Sequence, residues 1–277
     1  SKFSLMATLE ALFIVFVAGL ITDLATGLGT VPFFFVKEFS KKLLVGMWGL
    51  ASGIMLAASF LGLIPEGLAA AQEYPLLNSP YLAVGIGLAF GVALVVAAQR
   101  VVDEVELDPG TFEERDFKKM VLILGVLTVH SFPEGVAIGV SFAEMGLGSG
   151  IPILGLAVPA IAITMTIAIS IHNIPEGVAI SIPFKASGVS NWKTMGAAIF
   201  SSVPQPIGAV IAFIFVREAR MFLPAGYGFA AGAMIYLVLT EFVEEAFEEA
   251  EHLDGSGWRE FIGGNLVGLL IMVLLFM

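Results

Sequence analysis

The sequence predicts an all-α integral membrane protein, a single domain over residues 1–277 with eight transmembrane helices. Three observations lead to this prediction. The chain is 58% hydrophobic and only 13% charged, with a mean hydropathy of +0.95, which lies outside the range of soluble domains. Its apolar residues are collected in eight long stretches. A short motif with histidine and glutamate occurs twice within those stretches.

Each apolar stretch is long enough, or nearly so, to cross about 30 Å of hydrocarbon as a helix. The stretches cover residues 5–36, 43–72, 81–99, 120–142, 152–182, 194–216, 224–244 and 258–277. The first is too long for a signal-peptide core and no small-residue cleavage site follows it, so we expect it to remain as a helix. Residues 101–118 are polar and acidic, and we expect a solvated cytoplasmic loop there.

Lysine and arginine residues in the connections predict the orientation. With the N-terminus outside, the inner connections carry ten basic residues and the outer side carries three. We therefore expect both termini outside the cytoplasmic (inner) membrane. The net charge of −11 argues against nucleic acid as a partner. Because the chain has no cysteine, disulfides and thiolate metal sites are excluded.

The repeated motif reads His-Ser-Phe-Pro-Glu-Gly from His130 and His-Asn-Ile-Pro-Glu-Gly from His172. The two copies begin 42 residues apart and match at eight of thirteen positions. They lie on the fourth and fifth stretches, which run in opposite directions across the membrane. We therefore expect an inverted repeat, a plan in which secondary transporters place their substrate sites between the repeats.

Each copy projects a histidine nitrogen and a glutamate oxygen from one helical face, because residues four apart are one turn apart. The pairs are His130 with Glu134 and His172 with Glu176. A charge at the bilayer centre costs roughly 2.5 to 3.5 kcal/mol, and no basic residue occurs between Lys119 and Lys185 to neutralise these carboxylates. A bound dication is the simplest compensation, and this donor set suits Zn²⁺, Cd²⁺ or Fe²⁺ better than Mg²⁺ or Ca²⁺.

Other polar groups occur in or near the apolar stretches. Two prolines flank Gln205, so we expect a broken sixth helix with this amide facing the same cavity. Met55 offers a thioether near mid-membrane, although a lone methionine more often serves packing. Acidic side chains near the openings could attract a cation. They include Asp23, Glu66, Glu73, Glu144, Glu241, Glu244, Glu245, Glu248 and Glu249.

These motifs closely resemble those of the Zrt/Irt-like (ZIP) family of divalent metal transporters, particularly its prokaryotic branch, over essentially the whole chain. The resemblance implies eight spans, both termini outside, and metal held between helices four and five with further ligands from helices two and six. The implied primary ligands are His130, Glu134, His172 and Glu176, completed by Met55. Ser131, Asn173 and Gln205 match positions where some members bind an adjacent second metal.

The chain departs from the family at two of those positions. The family commonly has asparagine where this chain has Ser131, and glutamate where it has Gln205. A second dication sharing Glu134 and Glu176 would meet few additional negative charges, so we predict one high-affinity metal. The 101–118 loop also lacks the histidine cluster of many relatives.

The leading hypothesis is uptake of a divalent transition metal into the cytoplasm, Zn²⁺ first and Cd²⁺, Fe²⁺ or Mn²⁺ next, without enzymatic activity or a resident cofactor. The resemblance implies an elevator, in which helices one, four, five and six slide against the other four. The expected partners are the metal, the lipid bilayer and a second copy in a homodimer. One alternative is a proton-coupled carrier of a non-metal substrate. Another is an intramembrane metallohydrolase, disfavoured because no His-Glu-x-x-His occurs and no free general base remains.

Overall fold

The fold is almost entirely helical, and a computed structural model describes residues 2–103, 125, 129–251, 253 and 255–277. The helices are α1 Lys2–Leu28, α2 Lys41–Ala57, α3 Ile64–Glu73, α4 Pro80–Asp103, α5 129–141, α6 Ala160–Ala186, α7 Asn191–Ser202, α8 Pro204–Glu218, α9 Leu223–Leu237, α10 Val243–Ala250 and α11 Trp258–Phe276. Short 3₁₀ turns cover Val31–Phe34 and Arg220–Phe222. Strands β1 Ile151–Ile153 and β2 Leu156–Val158 form an antiparallel hairpin.

Seven helical segments within the described residues are long and apolar enough to cross a membrane. They are Thr8–Phe34, Lys41–Glu73, Pro80–Val101, Ala160–Ala186, Asn191–Glu218, Arg220–Ala250 and Trp258–Phe276. This confirms the predicted class, an all-helical membrane protein. Of the fourth predicted stretch, 120–142, the structure describes a helix at 129–141, so the eighth span stays a prediction. Most of the predicted loop at 101–118 also falls outside the described residues.

The fifth predicted stretch is wrong at its start. Helix α6 begins at Ala160 rather than near residue 152, and the hairpin of β1 and β2 precedes it. The hairpin turns through Leu154 and Gly155, which both have positive φ, as the type I′ turn of a two-residue hairpin requires. Pro152 and Pro159 disfavour a continuous helix through this segment. Apolar composition alone does not distinguish such a hairpin from a helix end.

Two spans contain a turn of π-helix, which hydropathy does not predict. Residues Ala58–Leu63 join α2 to α3, and residues Val238–Phe242 join α9 to α10. The second of these spans continues as a helix to Ala250, past the end of its apolar stretch near residue 244, because α10 has an apolar side that packs against α2. Local π-turns are frequent at functional sites, and both of these belong to helices that surround the site described below.

The sixth span is broken where the sequence predicts. Helix α7 ends at Ser202 and α8 begins at Pro204, with Val203 between them. Proline is well tolerated at the first position of a helix because its missing N–H has no intrahelical partner there. The break presents the buried side chain of Gln205 in the first turn of α8.

The helices pack in two sets. In the first set, α1 lies against α6, α7 and α8, and α5 lies against α8. In the second set, α2 packs along α11 and α10, and α9 packs along α4 and α3. Helix α2 of the second set also packs against α6 of the first. The repeated motif lies on α5 and α6, both in the first set.

The glycine of each motif copy allows a neighbouring backbone to approach closely. At Gly135 a Cβ atom would overlap the backbone of Gln205 in α8, and at Gly177 it would overlap the carbonyl of Thr26 in α1. Small residues at helix contacts in membranes permit this kind of backbone packing. The residue directly after each motif glutamate is therefore a glycine at which that helix contacts a neighbouring helix.

Candidate metal centre

Donor atoms from α5 and α6 meet in a fully buried space. His172 Nε2 lies 3.0 Å from Glu134 Oε1 and 3.8 Å from Glu176 Oε1. One ligand atom from each of these three residues lies within 4.8 Å of the other two. All three side chains are buried, with at most 2% of their surface exposed. One nitrogen and two carboxylate oxygens at this spacing can bind a single divalent transition metal.

Several buried atoms on the two copies of the motif have no hydrogen-bond partner among the described residues. They include Nδ1 of His172, Oε1 of Glu176 and both ring nitrogens of His130. Unpaired buried polar atoms are costly, and natural proteins contain few of them. No lysine or arginine in the part of the chain that the structure describes forms an ion pair with Glu134 or Glu176. The residues present therefore fit a cation, which would satisfy the free oxygen and offset the carboxylate charge.

The buried side-chain amides of Gln205 and Asn173 form a chain of hydrogen bonds that ends at Glu134. Gln205 Nε2 donates to Glu134 Oε2 at 2.5 Å, and Asn173 Nδ2 donates to Gln205 Oε1 at 2.9 Å. Asn173 Nδ2 also donates to the backbone carbonyl of Thr22 in α1 at 2.7 Å. The chain of hydrogen bonds joins α1, α6, α8 and α5. One oxygen of Glu134 is therefore held by an amide while the other faces His172.

Three further predicted site residues are buried, and none of them belongs to the group of Glu134, His172 and Glu176. His130 is 3% exposed and does not join that group. Met55 is completely buried in α2, the helix that packs against α6. Ser131, which follows His130 in the sequence, is also buried. The assignment of these residues to a metal site stays a prediction.

The predicted acidic residues differ in their exposure and in the partners that they have. Asp23 is 1% exposed, and its Oδ1 has no hydrogen-bond partner among the described residues. Glu241 accepts a hydrogen bond from Gln99 Nε2 at 2.5 Å. The exposed members are Glu66, Glu73, Glu244, Glu245 and Glu248. Two more form ion pairs, Glu144 with Arg220 at 2.9 Å and Glu249 with Lys41.

Sequence reasoning missed the aromatic cover of the site. The ring of Phe242 lies 6.3 Å from the His172 ring, centroid to centroid, and 5.1 Å from the ring of Trp48. Phe242 ends the π-turn between α9 and α10, in the second helix set. No motif marks it, since an aromatic residue in an apolar span is ordinary. Phe242 and His172 therefore bring the second and first helix sets together at the candidate metal centre.

The amino-acid sequence matches a known family of proteins. A sequence model of the ZIP zinc transporter family matches residues 108–275, more than half of the chain. The chain belongs to the ZIP zinc transporter family. The zinc transporter ZupT of Corynebacterium aurimucosum is 30% identical over 245 residues, covering 84% of this chain and 87% of that protein. The zinc transporter GufA of Myxococcus xanthus is 31% identical over 267 residues, covering 94% and 96%.

A longer relative comes from Arabidopsis thaliana and is named as a putative zinc transporter. It is 38% identical over 228 residues, which is 82% of this chain but only 33% of that protein. This chain therefore spans about a third of that relative, whereas it spans nearly the whole of GufA. Membership in the ZIP family confirms the predicted resemblance.

Proposed function

We propose that this protein carries a divalent transition metal, Zn²⁺ foremost, into the cytoplasm. The observation that carries the proposal is the meeting of Glu134, His172 and Glu176 in a space closed to solvent. An imidazole nitrogen favours Zn²⁺, Cd²⁺ or Fe²⁺ over Mg²⁺ or Ca²⁺. The ion is cargo, and we propose no catalytic role for the protein. His130 and Met55 are proposed as further ligands that engage when the ion is bound.

We propose eight spans with both termini outside the cytoplasmic membrane. The excess of basic residues on the inner connections supports this orientation. An inverted repeat of α5 and α6 is supported by their matching contacts, since the motif glycine faces α8 in one copy and α1 in the other. The acidic residues on α10 would then lie at the inner opening, where they attract cations.

An elevator motion is the proposed mechanism. The packing of the helices in two sets supports it, because the candidate ligands Glu134, His172 and Glu176 all lie in one set. Movement of that set against α2, α4, α9 and α11 would expose the site to each side in turn. Phe242 covers His172 in the present arrangement and would have to separate from it during such a movement.

Uptake into proteoliposomes tests the proposal. Vesicles that contain a zinc-sensitive dye and the purified protein should take up Zn²⁺, and His172→Ala or Glu176→Ala should reduce the initial rate to that of empty vesicles. The reason is that each substitution removes one of three donors from a buried site. Glu218→Gln, an exposed acid at the end of α8, is the matched control and should transport normally. Wild-type rates in the two site variants would refute the proposal.

We further propose that the site holds one high-affinity metal rather than two. Gln205 and Asn173 are neutral amides bonded to each other and, through Gln205, to Glu134, so they add no charge to offset a second dication. Calorimetry with Zn²⁺ should therefore give one tight equivalent per chain. Gln205→Glu adds a carboxylate beside Glu134 and should introduce a second equivalent. Two tight equivalents in the wild-type protein would contradict this prediction.

A further inference from the structure

A cleft with a volume of about 600 Å³ lies away from the metal centre. It is formed where the 3₁₀ turn Val31–Phe34, the start of α2 and the end of α6 meet. This volume lies within the roughly 300–1,000 Å³ of sites that bind small molecules. The cleft is therefore large enough for a ligand headgroup and is separate from the cargo site.

The walls of the cleft carry positive charge in a strongly acidic protein. Lys37, Lys41 and Lys185 line it together with a single acid, Glu38. Lys185 Nζ donates to the carbonyl of Val189 at 3.2 Å, and Lys41 pairs with Glu249 outside the lining. Lys37 is exposed and has no hydrogen-bond or ion-pair partner among the residues that the structure describes. At least one ammonium group is thus available to an anion.

Helix α2 adds to this positive potential because it begins at the cleft. Its first residue is Lys41, and Ser40 caps it by accepting from the N–H of Leu43. The remaining N–H groups of the first turn have no intrahelical partner. The N-terminal end of a long helix favours an anion. An anion in the cleft would therefore be attracted by the lysines of the lining as well as by the helix end.

The rest of the cleft is apolar and continuous with the protein interior. Phe33 and Leu44 line it and form a small core cluster with Val178, against which Phe39 and Ile182 pack. Nearby aromatic side chains suit the boundary of a bilayer. Phe35 is 84% exposed and Trp192 is 74% exposed, and Phe34 packs on Trp192 at 5.1 Å between centroids. A ligand in this cleft would meet ammonium groups on one side and hydrocarbon on the other.

We propose that the cleft binds the headgroup of an anionic phospholipid. The phosphate would be held by Lys37 and Lys185, and the glycerol and upper acyl chain would lie against Phe39 and Ile182. Basic pockets between transmembrane helices are suited to acidic lipid headgroups. Because α2 and α6 belong to different helix sets, a lipid here contacts both of them.

Native mass spectrometry of the purified protein tests this proposal. The protein is mixed with phosphatidylglycerol or with zwitterionic phosphatidylcholine, and the bound fractions are compared. We expect the wild type to retain phosphatidylglycerol preferentially, and the double variant K37Q/K185Q to lose that preference, by about fivefold for each lysine. Lys42→Gln is the matched control, because Lys42 is exposed on α2 but does not line the cleft.

Three results would overturn the proposal. Equal weakening by Lys42→Gln would show that the lipid is attracted to the surface in general. Equal retention of phosphatidylcholine would show that charge is not recognised. Displacement of phosphatidylglycerol by an equal concentration of inorganic phosphate would assign the cleft to free phosphate instead. The single variant Lys37→Gln alters only an exposed side chain. It should unfold at the wild-type temperature, so a loss of lipid binding in this variant would not be due to a loss of folding.

Discussion

Replacing Glu134 with glutamine is expected to weaken Zn²⁺ binding by at least about 100-fold, since loss of even an outer-shell partner costs roughly 10- to 100-fold. Glutamine keeps the shape of the side chain, and its carbonyl can still accept the hydrogen bond from Gln205. What it removes is the negative charge 3.0 Å from His172 Nε2. The affected quantity is therefore metal affinity rather than folding, and calorimetry on the purified variant measures it.

Glu218→Gln removes the same charge from an exposed position at the end of α8 and serves as the matched control for this experiment. Its Zn²⁺ affinity should equal that of the wild type. In the absence of metal, the exposed control should unfold at the wild-type temperature, whereas Glu134→Gln should not unfold at a lower temperature, because it keeps the packing and removes a buried charge that no basic side chain offsets. If Glu134→Gln bound Zn²⁺ as tightly as the wild type, the buried cluster on α5 and α6 would not be the binding site.

Gly177→Ala is expected to destabilise the protein by roughly 1 to 3 kcal/mol, the usual cost of overpacking a close contact. The added methyl group would overlap the carbonyl of Thr26, a backbone atom that cannot move without shifting α1 against α6. Gly177 directly follows Glu176 in α6, so a shift between α1 and α6 also displaces this candidate ligand, and zinc uptake should fall as well. Thermal unfolding in detergent measures the first effect and proteoliposome uptake the second.

Gly196→Ala is a control that we expect to stabilise the protein rather than destabilise it. Gly196 lies within α7, and a Cβ atom there would have no neighbour within 4 Å. Alanine stabilises an open helical position by about 0.5 to 1 kcal/mol relative to glycine, so the unfolding temperature should rise slightly. A rise of the same size in Gly177→Ala would mean that α1 and α6 do not pack backbone to backbone.

Local features of the sequence predicted much of the fold. Long apolar stretches predicted the seven spans found in the described residues. Prolines around Gln205 predicted the break at Val203. The prediction was wrong at the start of α6, because the hairpin at 151–158 is as apolar as a helix end. It also missed the π-turns, since a single inserted residue leaves the average hydropathy of a span unchanged.

For the candidate site, the sequence by itself determined the donor types and their pairing along each helix, because four-residue spacing is a property of the helix alone. Only the tertiary structure decided which donors meet. Glu134 reaches His172 across 38 residues of chain and Gln205 across 71, and Phe242 covers His172 from the other helix set. These contacts depend on how closely the helices approach, which is set by backbone packing at Gly135 and Gly177 and cannot be derived from local spacing.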